Sequence, residues 1–247
     1  MTRYKAAAIH LGLSALIGAA VLAAMLLVWY PSPYFKVMGG SHLALLIIGV
    51  DVAIGPLLTL AVFVKGKKGL VFDLAVISLL QISALIYGAN IMFEARPAYV
   101  VYVMGVFRVA PAAELEPEQL AQARHEAFRR LPLGGPLIVG AENPTDQAER
   151  ETLLFAITSG IDLHQLPKYY VPYAEQRADA AKRGLPLAEL RAADPANAEK
   201  IDRFLASSGR SAESLRFLPL LAKAGELTVL VDADSGDVVA VLPIVTP

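Results

Sequence analysis

Three long apolar runs open the chain, and the pattern then changes. Residues 6–30 hold no charged side chain, residues 43–64 hold only Asp51, and residues 70–93 hold only Asp73. Each run is long enough to cross about 30 Å of hydrocarbon at about 1.5 Å per residue. The first ends in Trp29, Tyr30 and Pro31, two rings that favour the membrane interface followed by a helix stop. A cleaved signal peptide would begin similarly, but its apolar stretch is only about 7–15 residues and two more spans would not follow so closely. Pro31-Ser32-Pro33 with Gly39-Gly40 predicts a short first connection, and Lys65-Gly66-Lys67-Lys68 a short second one. Basic residues in short loops mark the cytoplasmic side. Arg3, Lys5 and the three loop lysines share one side of an up-down-up arrangement, and Lys36 stands alone on the other. The expected topology is a multi-pass inner-membrane protein with a cytoplasmic N-terminus and everything after about residue 96 in the periplasm.

Polar residues inside these runs carry the most information. Asp51 lies well inside the second span, where a bare charge costs at least about 2.5–3.5 kcal/mol. It is therefore expected to face protein, near Gln81 or Tyr87 of the third span. Pro56 has no N–H for the carbonyl of Val52, which predicts a kink. Asp51, Gly55 and Thr59 share a helix face, as do Gln81, Ala84 and Gly88. Small residues at this spacing allow close helix approach, and Gln supplies an interhelical hydrogen bond. Three readings of this seam stay open: it receives a partner's helix at Asp51, Gly55, Pro56 and Gln81, it conducts a proton or ion, for which three spans with one deep carboxylate enclose little, or it only holds the three spans together. His10, near the cytoplasmic end, reads as a wet interfacial side chain. Asp73 complements the helix dipole and the adjacent lysines.

After Arg96-Pro97 the chain reads as a soluble α+β domain. Residues 99–109 are β-branched and aromatic, as in a strand. Residues 114–130 have helical spacing, 136–140 form a short strand, and 145–159 a helix opening on Thr145 and acidic residues. Residues 162–173 carry two prolines and three tyrosines, which marks an ordered loop. Tyr169, Tyr170 and Tyr173 either contact a partner, since Tyr is enriched at interfaces, or pin the loop onto its own domain. Helices are expected over 174–183, 187–191 and 196–207. Residues 226–233 and 237–244 form a hairpin around Asp234-Ser235-Gly236. The expected organisation is a three-helix transmembrane domain, 1–96, and a periplasmic α+β domain, 97–247.

Charge and chemistry narrow the function. Residues 1–96 carry seven bases and three acids, and residues 97–247 carry 15 bases and 20 acids. A mildly acidic outer domain argues against nucleic acid. The chain has no Cys and four His, none at the i, i+4 spacing of a helical metal site, so no metal or cofactor is expected. No phosphate loop or GxSxG elbow occurs. Asp162 and His164 read as loop residues rather than a catalytic pair. Asp232, Asp234 and Asp237 lack the spacing of an EF-hand.

The ordered set of motifs resembles the TfpX/TfpZ family of type IV pilin accessory proteins. The resemblance spans essentially the whole chain: IHLGLS at 9–14, VWYPSP at 28–33, DVAIGPLLTL at 51–60, KGKKGLVFDL at 65–74, LLQISALIYG at 79–88, DLHQLPKYYVPY at 162–173 and LPLLAKAGELTVLVDADSGDVVAVLPI at 218–244. The tail departs from the family, reading VTP where an aromatic residue is expected near the C-terminal proline. The resemblance implies an inner-membrane chaperone or assembly modulator for a cognate major pilin, serving fimbrium biogenesis and twitching motility. It implies non-catalytic binding, with no catalytic or cofactor-binding residues to transfer. A pilin waits in the inner membrane as one hydrophobic helix with a periplasmic head, and a helper with spans and a folded domain can contact both. Two linked contacts raise effective concentration without strong individual interfaces. The alternatives are a membrane-bound enzyme, which needs more titratable groups at the membrane face than Asp51, and a sensor, which needs a cytoplasmic output domain.

Overall fold

The structure, a computed structural model, describes residues 2–246. It divides into two compact units, Met1–Ala95 and Arg96–Pro247.

The first unit is three long apolar helices. α1 (Arg3–Ala24) is opened by Thr2, whose hydroxyl accepts from the Lys5 N–H, and runs on through a π-helical turn, Met25–Trp29. A short α2 (Tyr34–Val37) leads to α3 (Gly40–Val62), and α4 (Leu70–Glu94) follows. All three long helices are apolar enough to cross a membrane. α3 is the central one: α1 and α4 both pack on it. Glycines let the backbones approach. A Cβ at Gly18 of α1 would stand 2.8 Å from Ile48 Cγ2, and one at Gly88 of α4 would stand 2.6 Å from Ile47 Cγ1. At one end, Tyr30 donates to the Met92 carbonyl at 2.7 Å, and Trp29 meets Phe93 edge-on. At the other, Lys67 pairs with Asp73 at 2.7 Å. α3 stays helical through Pro56.

The second unit is a mixed sheet dressed with short helices. β1 (Pro97–Val103) and β2 (Val106–Pro111) form an antiparallel hairpin closed on Val103 and Val106. The expected single strand over 99–109 is thus two. Met104 and Gly105 make the turn at φ +48° and +97°. Methionine seldom takes positive φ, so the turn carried no sequence signal. β1 is buried on both faces, which is why it reads as an unbroken apolar run.

β3 (Leu137–Ala141) pairs parallel to β1, and β4 (Tyr170–Pro172) extends that edge. On the other side β6 (Leu215–Ala222) runs parallel to β2, followed by β7 (Gly225–Asp232) and β8 (Val238–Leu242). A two-residue β5 (Leu185–Pro186) also pairs with β6.

The expected helix over 114–130 is only α5 (Pro117–Ala121) with 3-10 turns at Ala112–Glu114 and Glu126–Phe128. Of the periodic apolar residues, Leu115, Leu120, Ala123 and Phe128 are nevertheless buried, and Ala127 is exposed. Core packing holds the buried ones without a continuous helix. α6 (Gln147–Thr158) is capped by Asp146, not Thr145. α7 (Arg177–Arg183), α8 (Leu187–Ala193) and α9 (Pro195–Ser208) complete the unit. Two cores result. One surrounds Tyr99, Val101, Val139 and Tyr170; the other joins Leu187, Leu190 and Ile201 to Leu215, Phe217 and Leu230.

Candidate functional site

In the first unit, α1 and α4 leave a groove between them whose floor is α3. Its polar lining is His10 and Ser14 from α1, Asp51 from α3, and Ser78 and Gln81 from α4. Leu13, Ile17, Ile82 and Leu85 supply apolar walls around a cavity of about 120 Å³. The structure brings Asp51, Gly55 and Gln81 together. Gln81 Nε2 donates to the main-chain carbonyl of Asp51 at 3.1 Å. That carbonyl adjoins the one on Val52 that Pro56 leaves without its helical donor. Gly55 makes the reach possible: a Cβ there would fall 2.0 Å from Gln81 Nε2. Gly55 and Pro56 are both buried, Gly55 at the contact between α3 and α4. Tyr87 is 70% exposed and points elsewhere.

Asp51 is 8% exposed, yet its Oδ1 meets no hydrogen-bond donor, and neither does Oε1 of Gln81. Buried acceptors normally find partners, and in hydrocarbon an unmet one is costly. His10 does not fill that role. Its Nδ1 lies 2.6 Å from Thr59 Oγ1, tying α1 to α3. His10 is therefore a structural bridge within the bundle, correcting its reading as a wet interfacial side chain.

The tyrosine loop packs onto its own domain, as the second of its two readings expects, and leaves Tyr173 half-buried. Tyr170 is fully buried, donates to the carbonyl of His164, and meets Tyr99 edge-on at 5.2 Å. Burial raises its phenol well above the ordinary value, which keeps it a donor. Tyr169 is 4% exposed. Tyr173 packs on Tyr102 and Phe107 and donates to the Gly236 carbonyl at 2.6 Å, tying the loop to the terminal hairpin.

Sequence reasoning missed a second polar pocket. Arg108, Glu114, His164 and Lys223 line a cavity of about 180 Å³ in the folded domain. Arg108 pairs with Asp162 at 3.1 Å, and His164 Nδ1 lies 3.9 Å from the same carboxylate. Burial, and then the Arg108 charge, push the His164 imidazole down to about 4. A base so weak holds no proton near neutral pH. Among the described residues, no cluster of His, Asp and Glu is placed to hold a metal ion.

Comparison with known proteins supplies what the geometry does not. A family model described as fimbrial assembly protein FimB matches residues 1–39. The chain is 31% identical over 241 residues to the fimbrial assembly protein of serogroup I from Dichelobacter nodosus, covering 96% of this chain and 93% of the relative. The serogroup E1 protein of that organism is 30% identical over the same coverage. The protein of serogroups C1 and C2 is 37% identical over 121 residues, 48% of this chain and 92% of the relative. No solved structure matches.

Proposed function

The chain belongs to the fimbrial assembly proteins, and from that premise we propose that it is an inner-membrane accessory protein, of the TfpX/TfpZ type, for a cognate type IV pilin. It acts by binding, as a chaperone or assembly modulator, and catalyses nothing. The observation that carries this reading is similarity extending over 96% of the chain, so that both the helical unit and the folded domain are shared with proteins named for fimbrial assembly. Three apolar helices followed by a folded domain suit a helper for a substrate that is itself one membrane helix with a head outside. The lysine loop between α3 and α4 supports a cytoplasmic N-terminus, which puts the folded domain in the periplasm.

Deletion of the gene tests the function. Pilin level, surface pili and twitching should fall and be restored by the full chain. Normal piliation in the deletion strain would overturn the assignment. Alkaline phosphatase fused after Pro247 should be active and fused after Lys67 inactive; a stable, membrane-inserted but inactive C-terminal fusion would reverse the topology.

A further inference from the structure

We propose that the groove between α1 and α4 receives the pilin's hydrophobic helix through an O–H or N–H donor on that helix, which completes Asp51 Oδ1 and Gln81 Oε1. This inference rests on the pilin reading above and adds the place and chemistry of one contact. Three observations carry it. Asp51 is 8% exposed and lines the groove, and its Oδ1 lacks a donor. Gln81, which also lines the groove and whose Nε2 is committed to the Asp51 carbonyl, holds a second acceptor without a donor, Oε1. His10, on the groove wall, engages Thr59 through Nδ1 and makes no hydrogen bond to Asp51 Oδ1.

The surroundings select the kind of occupant. Leu13 and Ile82 at the groove's sides are 57% and 55% exposed, so an entering molecule meets alkyl surface beside a polar floor. A membrane helix that is apolar along its length, with a single donor at matching depth, fits that pattern. In hydrocarbon such a donor has no water to leave, and the two acceptors have none to meet except what the cavity itself traps. A cavity of about 120 Å³ is too small for a folded segment but accepts one inserted side chain. It would also accept a few waters at about 30 Å³ each, and the test separates the two.

A photo-crosslinking amino acid is placed at Leu13 or Ile82 of the full-length chain, co-expressed with the cognate pilin in the native membrane. A pilin adduct is expected from both sites and not from Leu46, which is exposed but does not line the groove. Asp51→Leu and Gln81→Leu should each lower the adduct at least fivefold relative to the amount of protein in the membrane. Asp51→Asn, which keeps an acceptor oxygen, should retain most of it and guards against a folding defect. An adduct unchanged by both leucine variants would overturn the donor chemistry. An adduct only with a second copy of this chain, or none with any protein, would overturn the pilin as occupant, the latter leaving trapped water. If those failures occur while the deletion strain still lacks pili, the assembly role stands and only the groove inference falls. Normal piliation in the deletion strain removes the premise itself.

Discussion

Gly88 in the helical unit and Gly236 in the folded domain both lack room for a Cβ, but what stands in the way differs. At Gly88 the obstacle is the side chain of Ile47, 2.6 Å away, which can turn about its own bonds. At Gly236 it is the carbonyl oxygen of Arg177, 2.0 Å away, and Gly236 itself sits at φ +72°. The helices of the first unit satisfy most of their own backbone groups, and what crowds Gly18, Gly55 and Gly88 is in each case a neighbour's side chain, which can adjust. The folded domain joins distant segments through main chain: Tyr173 holds the Gly236 carbonyl, and the Gly236 turn rests on Arg177. At Gly236 the obstacle is main chain, which has little freedom to move. Gly236→Val should therefore be the most damaging change considered, adding positive-φ strain to a backbone clash and costing about 4 kcal/mol. Denaturant unfolding of the full-length protein in detergent measures it. Gly209→Asn, also at positive φ but with open space around it, should cost far less. Equal losses would show that φ alone matters and that the Arg177 contact does not.

The same contrast explains what could be read from the sequence. The three spans were legible because each is a local, self-contained apolar run. Pairing of Asp51 with Gln81 was also within reach, since helix spacing places each on an inward face. The π-helical turn at Met25–Trp29 and the His10–Thr59 bridge were not, because both depend on how α1 settles against its neighbours. In the folded domain the terminal hairpin announced itself through Asp234-Ser235-Gly236. β6, lying between Ser214 and Gly225, went unread: its residues LRFLPLLA include Pro219 and do not alternate, and burial beside β2 and β7 makes them a strand. The tyrosines of 169–173 illustrate the remaining ambiguity. An aromatic cluster has the same composition whether it meets a partner or its own core, and only the structure places Tyr169 and Tyr170 in the core while leaving Tyr173 half-buried.

A second difference concerns protons. The folded domain buries an imidazole whose pKa is pushed down to about 4, by burial first and by Arg108 second, against a countervailing pull from Asp162. Unfolded histidine titrates near 6.5. Between these values the unfolded chain binds a proton that the folded domain does not, so stability rises with pH through this window. Acidifying from about 6.5 toward 4 should weaken the domain by at most about 3 kcal/mol. Unfolding midpoints at pH 7, 5.5 and 4.5 would show this, and His164→Gln should flatten the dependence. Asp232, held down to about 2 by the Ser235 main chain, Arg210 and the Asp234 main chain, titrates below the window and should not contribute. An unchanged slope in His164→Gln would place the titrating group elsewhere.

In the helical unit, Gly88→Leu should cost about 2 kcal/mol, the usual range for forcing extra carbons into a packed contact. Its readout is membrane accumulation of the full chain and resistance of the α3–α4 pair to unfolding in detergent. Gly49→Leu, with nothing within 4 Å of its Cβ position, should leave both unchanged. If the two variants behaved alike, α3 and α4 would not be packed through Gly88 and Ile47.

The smallest effect should come from the hydrogen bond that joins α1 to α3. His10 Nδ1 and Thr59 Oγ1 are 2.6 Å apart, and Thr59 is 2% exposed. Intuition says that such a bond, shielded from water, is strong. Interhelical hydrogen bonds in membranes nevertheless average only about 0.6 kcal/mol, because the separated helices find other partners within the bilayer. His10 is half-buried and borders the groove, so its ring can turn to Ser14 or to trapped water once Thr59 is gone. Thr59→Val keeps the volume, removes the hydroxyl, and should cost about 0.6 kcal/mol. Tyr170→Phe in the folded domain removes one bond too, but there the His164 carbonyl loses its donor inside a rigid aromatic core. That change should cost about 1–2 kcal/mol. Measured side by side in the same detergent, the two substitutions test the contrast between units directly. A larger loss from Thr59→Val would mean that the helical unit, not the sheet domain, is the less forgiving half of the molecule.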